Sequence, residues 1–162
     1  MSGERRGEWH QWPFEPLTVL RALSRHGVDY VLIGGVAAVL QGSPLPSYDI
    51  DISPAPGVET ARRLEDALAE LDAVVLTDID DVHHALQRRT DISFHTPFGH
   101  VDLHHAPAGF ESYAALRRNA RVLQLEPGLA VPVSPLRDII RSRTAAGDRR
   151  QLHALEVALE LG

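Results

Sequence analysis

The sequence predicts a single α/β domain over residues 1–162, with a small mixed sheet flanked by helices and a short helical C-terminal tail. The chain has 162 residues, of which 44% are hydrophobic and 23% are charged. That composition suits one globular domain with a substantial core. Short apolar runs of strand character alternate with segments of helical periodicity up to about residue 133, and only helical patterns follow. We therefore expect a core at about 14–133 and C-terminal helices at about 134–162.

The composition excludes several classes of site. The chain has no cysteine, which excludes disulfides, thiolate zinc sites and cysteine nucleophiles. All 16 basic residues are arginine, so a Walker-type lysine loop and Schiff-base chemistry are excluded too. The formal net charge of −6 disfavours broad, non-specific nucleic-acid binding. We find no secretory signal and no membrane-length apolar run, and expect a cytoplasmic protein without membrane contact.

The first half of the chain alternates clearly between helix and strand patterns. A helix is predicted over 14–26, where Phe14, Leu17, Leu20 and Leu23 form one apolar stripe before Gly27. A buried strand at 28–33 then runs into the Gly34-Gly35 pair. The following elements are a short helix up to residue 42, a Pro-rich loop at 43–47, a strand at 48–52 and an amphipathic helix at 57–71.

The second half begins with a predicted strand at 73–77, followed by a segment, 78–89, that fits either helix or loop. Residues 91–96 and 100–104 flank a Pro-Phe-Gly turn and predict a β-hairpin. A helix at about 109–118 and strands at 121–125 and 129–133 follow. Ser134 is expected to cap a helix that starts with Pro135 and ends at Ala146, and the last helix is predicted at about 148–161.

The strand at 48–52 carries two carboxylates where a buried strand would be apolar. Residues i and i+2 of a strand share a face, so Asp49 and Asp51 project together while Ile50 and Ile52 face the core. The two like charges lie about 6–7 Å apart along the strand. A divalent cation relieves their repulsion, and Mg²⁺ takes oxygen ligands of this kind.

Two further features fit the same site. Asp102 lies mid-strand between Val101 and Leu103, and it would bring a third carboxylate if its strand lies beside 48–52. Three such carboxylates can hold two metal ions. Gly34-Gly35 links a strand to a helix, where free backbone N–H groups and the absence of a Cβ allow a phosphate to approach. An isolated Asp-x-Asp strand is more often a solvated outer face, but the ordered combination within 25 residues is far more specific.

This segment, from Ile33-Gly34-Gly35 through Gly42 to Ser47 and the two aspartates, resembles the nucleotidyltransferase superfamily related to DNA polymerase β. It is most similar to the minimal bacterial branch that includes AbiEii-type toxins and small antibiotic nucleotidyltransferases. The resemblance covers most of the chain. The preceding helix and the strand at 28–35 match, 100–104 matches the strand of the third acidic residue, and 131–155 looks like the C-terminal helical region.

The resemblance implies a nucleotidyltransferase-like fold and transfer of a nucleoside monophosphate from an NTP to a hydroxyl, with release of pyrophosphate. The implied acceptor is an RNA 3′ end such as that of tRNA, a protein side chain or a small molecule, and a toxin–antitoxin role with a cognate protein partner is among the implied functions. Gly34 and Gly35 would hold the triphosphate, and Ser47 stands where relatives have Thr or Ser. Asp49, Asp51 and Asp102 would bind two Mg²⁺ ions, or Mn²⁺, and Asp102 would activate the acceptor.

The sequence also departs from the family pattern. Leu45 stands where an arginine is common, Arg143 where the C-terminal helix often has lysine, and Asp148 and Gln151 where a basic-then-acidic pair is usual. Arg137 and Arg141 lie at i and i+4 of the same predicted helix. These two arginines are candidate nucleotide-phosphate ligands, although a solvated face is equally compatible with the pattern.

Two alternatives remain open at this point. Leu45 motivates a non-catalytic nucleotide-binding or regulatory module of the same fold. His100, Asp102 and His104 share one strand face, with His83, His84, His95 and His105 nearby in sequence, and this pattern could instead form a His/Asp metalloenzyme site. We expect most of these histidines to flank a solvent-facing strand, with His100 or His104 a candidate contact for the nucleotide or acceptor. Trp9 and Trp12 could cap the core or form an interface, and we predict that they pack on the core.

Overall fold

A computed structural model describes residues 13–162, and within them seven helices flank a seven-stranded mixed sheet. The helices are α1 Pro16–Arg25, α2 Gly34–Val39, α3 Val58–Glu70, α4 Val82–Gln87, α5 Tyr113–Asn119, α6 Leu136–Ala145 and α7 Leu152–Leu161. The strands are β1 Tyr30–Ile33, β2 Asp49–Pro54, β3 Val74–Val75, β4 Ile92–Thr96, β5 Gly99–Leu103, β6 Arg121–Glu126 and β7 Leu129–Val133. The predicted α/β class with C-terminal helices is confirmed.

The sheet order is β3-β4-β5-β2-β1-β7-β6. The central strand β2 pairs antiparallel with β1 and parallel with β5. The predicted hairpin is confirmed as β4–β5, which pairs antiparallel. Strand β7 returns parallel to β1, so α6 starts beside the end of β1 where the Gly-Gly pair lies.

The core lies on the face of the sheet opposite the aspartates. Ile50 and Ile52 are fully buried, as the strand alternation predicts, and Leu20 and Leu23 of α1 pack into the same core. Full burial of such side chains stabilises the fold by about 1.5–3 kcal/mol each. Because one face of β2 and β5 is fixed in the core, their polar side chains are held on the other face.

Several predicted boundaries need correction. Ser134 does not cap α6; Pro135 is the N-cap residue, without a side-chain cap bond. The reason is that Ser134 still belongs to the sheet edge, since its N–H donates to the Leu32 carbonyl at 2.9 Å and its carbonyl accepts from Gln41 Nε2 at 2.7 Å. The last helix starts at Leu152 rather than 148, because Asp148 Oδ1 accepts the Arg150 N–H and closes a turn before it.

Side-chain capping sets two other boundaries. The ambiguous segment 78–89 contains helix α4, whose N-cap Asp81 accepts the His84 N–H at 3.0 Å. Helix α5 starts only at Tyr113, where Ser112 accepts the Ala115 N–H at 3.2 Å. The strand predicted at 73–77 shortens to Val74–Val75.

No helix in the described part of the chain is long and apolar enough to cross a membrane. Trp9 and Trp12 lie outside the described residues.

Candidate active site

The parallel pairing of β2 with β5 brings the predicted carboxylates together. Asp51 lies directly opposite Asp102 in the register, and Asp49 lies opposite His100. The intervening residues Ile50 and Val101 are buried at 1% exposure or less, so all four polar side chains are on the outer face. The sequence pattern could not provide this pairing, because Asp51 and Asp102 are distant in the chain.

Gly34 and Gly35 pack tightly against this carboxylate face. Gly34 has a φ of +70°, and a Cβ added to it would lie 2.5 Å from Asp51 Oδ2. A Cβ added to Gly35 would lie 2.5 Å from the Ser47 hydroxyl oxygen. The missing side chains therefore leave the start of α2, whose first N–H groups lack partners within the helix, next to Asp51 and Ser47.

Asp51, Asp102 and His104 form a group that could hold a metal ion. One ligand atom from each lies within 4.8 Å of the other two. His104 Nε2 is 3.0 Å from Asp51 Oδ1. In the part of the chain that the structure describes, this is the one such group of three or more metal-ligating side chains. His104 thus joins two of the three predicted carboxylates.

Asp49 and His100 lie at the rim of this group. The Asp49 side chain is 55% exposed, whereas that of Asp51 is 22% exposed. His100 Nδ1 is 3.8 Å from Asp49 Oδ1, and its ring meets the His95 ring edge-on at a centroid distance of 5.2 Å. Asp49 is therefore open to solvent, and it points from the same face without belonging to the three-residue group.

The electrostatics of the group are those of carboxylates held close together. Burial raises the pKa of Asp102, and the neighbouring Asp51 and Asp49 charges add to that rise against a hydrogen bond from Ser93. Burial and the Asp51 charge likewise raise the pKa of Asp49. The hydrogen bond to Asp51 raises the pKa of His104. Excess negative charge therefore accumulates here, and a proton or a cation relieves it.

A cavity of about 560 Å³ extends from this group to the C-terminal helices. Gly34, Asp51 and His104 line one end of it. Pro107, Phe110, Leu116 and Ile139 supply apolar wall, and the residues at the α6–α7 end are Arg143, Asp148, Arg150 and Gln151. The volume is in the range of small-ligand sites, so the cavity can hold a nucleotide-sized molecule beside the carboxylates.

The structure separates the two predicted phosphate-binding arginines from this cavity wall. Arg137 borders a different depression, with Leu40 and Gln41. Arg141 stacks on the Phe110 ring, with its guanidinium carbon 4.8 Å from the ring centroid, and it is not among the residues that line the cavity. Their assignment to the nucleotide stays a prediction. The arginines that do line the cavity are Arg143, which the resemblance singled out, and Arg150.

Sequence reasoning missed a buried acidic residue in the cavity wall. Asp138, in the first turn of α6, is 5% exposed, and its Oδ2 accepts a hydrogen bond from Asn119 Nδ2 at 3.1 Å. The segment Leu136-Arg137-Asp138-Ile139 offers a weak signal only, a charge between apolar positions of a helix. Its burial depends on α5 and the end of β1, which no local pattern reveals.

Comparison with solved structures places this architecture among known folds. A candidate nucleotidyltransferase from Thermotoga maritima is similar with a TM-score of 0.59 and 19% identity, over 94% of this chain and 99% of that one. The antibiotic-resistance factor ANT(2'')-Ia is similar in solution, with a TM-score of 0.59 and 18% identity, over 89% of this chain and 80% of that one. The crystal structure of ANT(2'')-Ia in complex with adenylyl-2''-tobramycin is similar with a TM-score of 0.58 and 18% identity, over 89% of this chain and 86% of that one.

Searches at the level of sequence give no such likeness. No protein-family model matches the chain, and no curated protein matches it. The likeness to the solved structures therefore concerns the backbone arrangement, at an identity too low to carry over residue roles. The resemblance seen in the sequence is confirmed at this level: the chain has the nucleotidyltransferase fold.

Proposed function

We propose that the protein is a metal-dependent nucleotidyltransferase that moves a nucleoside monophosphate from an NTP to a hydroxyl group. The observation that carries this proposal is the pairing of Asp51 with Asp102 across β2 and β5, next to the Gly34 turn, with Asp51 and Gly34 lining the cavity. Carboxylates for metal ions, backbone N–H groups for phosphates and a nucleotide-sized cavity are the parts that such a transfer needs.

The chain's own groups fit the steps of the reaction. The acceptor oxygen bonds to the α-phosphorus while the bond to the α–β bridging oxygen breaks, and pyrophosphate leaves. Asp102 takes the acceptor proton, a role that a carboxylate within reach of the acceptor hydroxyl can fill. Gly34, Gly35 and Ser47 bind the triphosphate, and Arg143 and Arg150 offset its charge from the far side of the cavity.

The donor set fits a divalent cation. Cis ligands at about 2.1 Å from an octahedral ion lie about 3 Å apart, and trans ligands about 4.2 Å, which the separations of up to 4.8 Å among the three ligand atoms nearly match. Such an ion neutralises phosphate charge and lowers the barrier to displacement. Asp51 and Asp102 suit Mg²⁺, and the His104 imidazole adds a donor that suits Mn²⁺ better. Asp49 is positioned for a second ion.

We expect His104 to bias the site toward Mn²⁺. In the wild-type protein Mn²⁺ should bind at least about 10-fold more tightly than Mg²⁺, because an imidazole nitrogen is a better ligand for Mn²⁺ than for Mg²⁺. His104→Ala should remove most of that difference. Titration followed by electron paramagnetic resonance measures Mn²⁺ affinity, and electron spin-echo modulation detects the nitrogen bound to the ion.

A histidine outside the group serves as the control for this prediction. His84, on α4, interacts with Arg88 at 3.3 Å, so His84→Ala should leave both the Mn²⁺ affinity and the nitrogen signal unchanged. A wild-type spectrum without nitrogen coupling, or equal loss in both variants, would remove His104 from the ligand set.

The acceptor is best identified with a panel. The protein is incubated with α-³²P-labelled NTPs and Mg²⁺ or Mn²⁺, and with total RNA, total cell protein or aminoglycosides. We expect label on one class, and none when the metal is chelated. Label on tRNA or protein would favour a toxin–antitoxin component with a cognate partner. NTP binding without label on any acceptor would instead identify a non-catalytic nucleotide-binding module.

Metal analysis of the purified protein separates the metalloenzyme alternative from the transferase. That reading placed a metal on His100 and His104 together, but His104 faces Asp51 whereas His100 contacts Asp49 and His95. Stoichiometric zinc or iron in the purified protein, retained in Asp51→Asn and lost in His100→Ala, would favour it over the transferase.

A further inference from the structure

The cavity wall includes a buried carboxylate that the proposed chemistry does not use. Asp138 lines the cavity and is 5% exposed. Its Oδ2 accepts the Asn119 hydrogen bond at 3.1 Å, whereas its Oδ1 has no hydrogen-bond partner among residues 13–162. This oxygen is not one of the side-chain atoms that the fold seals from solvent without a hydrogen-bond partner, so it remains accessible from the cavity that Asp138 lines. The free oxygen of Asp138 therefore suits a donor that enters the cavity.

The surroundings of Asp138 restrict what that donor is. Phe110, Leu116 and Ile139 provide apolar wall in the same cavity, which suits a flat, largely apolar ring carrying its polar groups on one edge. Asp51 and Gly34 line the same cavity, and the proposed function puts the phosphates there. A nucleotide bound in that way would place its base against the remaining wall of the same cavity, to which Asp138 belongs.

The donor patterns of the four bases are not equivalent for a carboxylate. Guanine presents two adjacent donors, N1–H and the N2 amino group. Adenine and cytosine each place a ring-nitrogen acceptor beside their amino group, and uracil has a single N–H between two carbonyls. The two adjacent acceptor oxygens of a carboxylate therefore match the two donors of guanine. With adenine or cytosine, one of these oxygens would face the lone pair of a ring nitrogen, which is repulsive.

We propose that Asp138, held by Asn119, reads the edge of a guanine base and makes GTP the preferred nucleotide. Oδ1 accepts the N2 amino group, and Oδ2 accepts N1–H beside the bond from Asn119, since each carboxylate oxygen has two lone pairs. This inference rests on the proposed nucleotide-binding function and adds the base to it. Asp138 acts in binding and specificity only.

The test is nucleotide binding without any acceptor. Isothermal titration calorimetry with GTP, ATP, CTP and UTP in the presence of Mn²⁺ should give GTP about 10- to 100-fold tighter binding than the other three. Asp138→Asn should keep the oxygen that Asn119 bonds and turn an amino group into the cavity. GTP should then lose its advantage, and XTP should gain about 10-fold or more, because xanthine has a carbonyl where guanine has its amino group.

The gain for XTP separates a change of specificity from a fold defect. Asp66→Asn is the control, because Asp66 lies on α3, pairs with Arg62 at 3.2 Å and is not among the residues that line the cavity; it should leave the GTP-to-ATP ratio unchanged. Equal binding of all four NTPs, a preference for another base, or Asp138→Asn without effect on the ratio would overturn the inference and leave the proposed function standing. Absence of binding by any NTP would overturn both.

Discussion

Asp102→Asn is expected to lower kcat for nucleotidyl transfer by at least about 100-fold, the magnitude typical of removing a general base or a metal-bound carboxylate. The variant should nevertheless fold. Burial and neighbouring carboxylates raise the pKa of Asp102, so the charged form at neutral pH opposes folding, and its contribution to stability falls as pH rises through that pKa. We therefore expect the metal-free variant to unfold at a higher temperature than the wild type near pH 7.

The controls separate this effect from general damage. Asp66→Asn removes a carboxylate from α3 that pairs with Arg62 at 3.2 Å, and it should preserve kcat. Mn²⁺ should raise the unfolding midpoint of the wild type and of Asp66→Asn, but much less that of Asp102→Asn. An Asp102→Asn protein with wild-type kcat would exclude Asp102 from the chemistry.

Gly34→Ala is expected to remove activity by a different route. The added Cβ would lie 2.5 Å from Asp51 Oδ2, so the carboxylate must move away from its position opposite Asp102. The φ of +70° adds backbone strain, and together the two effects should lower the free energy of unfolding by about 1–3 kcal/mol. Denaturant unfolding measures the loss of stability, and Mn²⁺ titration measures the loss of metal affinity that the displaced Asp51 should cause.

Gly128 supplies a closely matched control for Gly34. Its φ is +82°, and a Cβ added there meets nothing within 4 Å. Gly128→Ala therefore carries the backbone strain without the contact, and it should lose stability but keep Mn²⁺ affinity and activity. If both variants bind Mn²⁺ like the wild type, the close approach of Gly34 to Asp51 has no role in the site.

The sequence predicts those parts of the fold that depend on local periodicity. The alternation at 49–52 correctly assigned Ile50 and Ile52 to the core, and the hairpin around 97–99 was recognised from its turn residues. The predicted starts of α5 and α6 are wrong; their N-cap residues are Ser112 and Pro135. A helix boundary depends on which backbone groups the sheet or a cap already satisfies. Ser134 has the side chain of a cap, but its backbone is bonded to Leu32 and Gln41.

The candidate site likewise combines residues that the sequence pattern predicts with residues that only the folded chain brings together. Asp49, Asp51 and the Gly-Gly pair lie within one continuous segment, so their spacing alone pointed to them. Asp102 joins them only through the parallel pairing of β2 with β5, which no local pattern in the sequence reveals. The position of His104 beside Asp51 and the burial of Asp138 depend on tertiary packing, so only the folded chain reveals them.

The most direct test of the central claim compares NTP labelled at the α-phosphorus with NTP labelled at the γ-phosphorus, in the presence of Mn²⁺ and the acceptor found by the panel. A nucleotidyltransferase transfers the α label to the acceptor and releases the γ label as pyrophosphate. We predict that result for the wild-type protein and its loss in Asp102→Asn. Transfer of the γ label, or retention of both labels in intact NTP that the protein demonstrably binds, would contradict it.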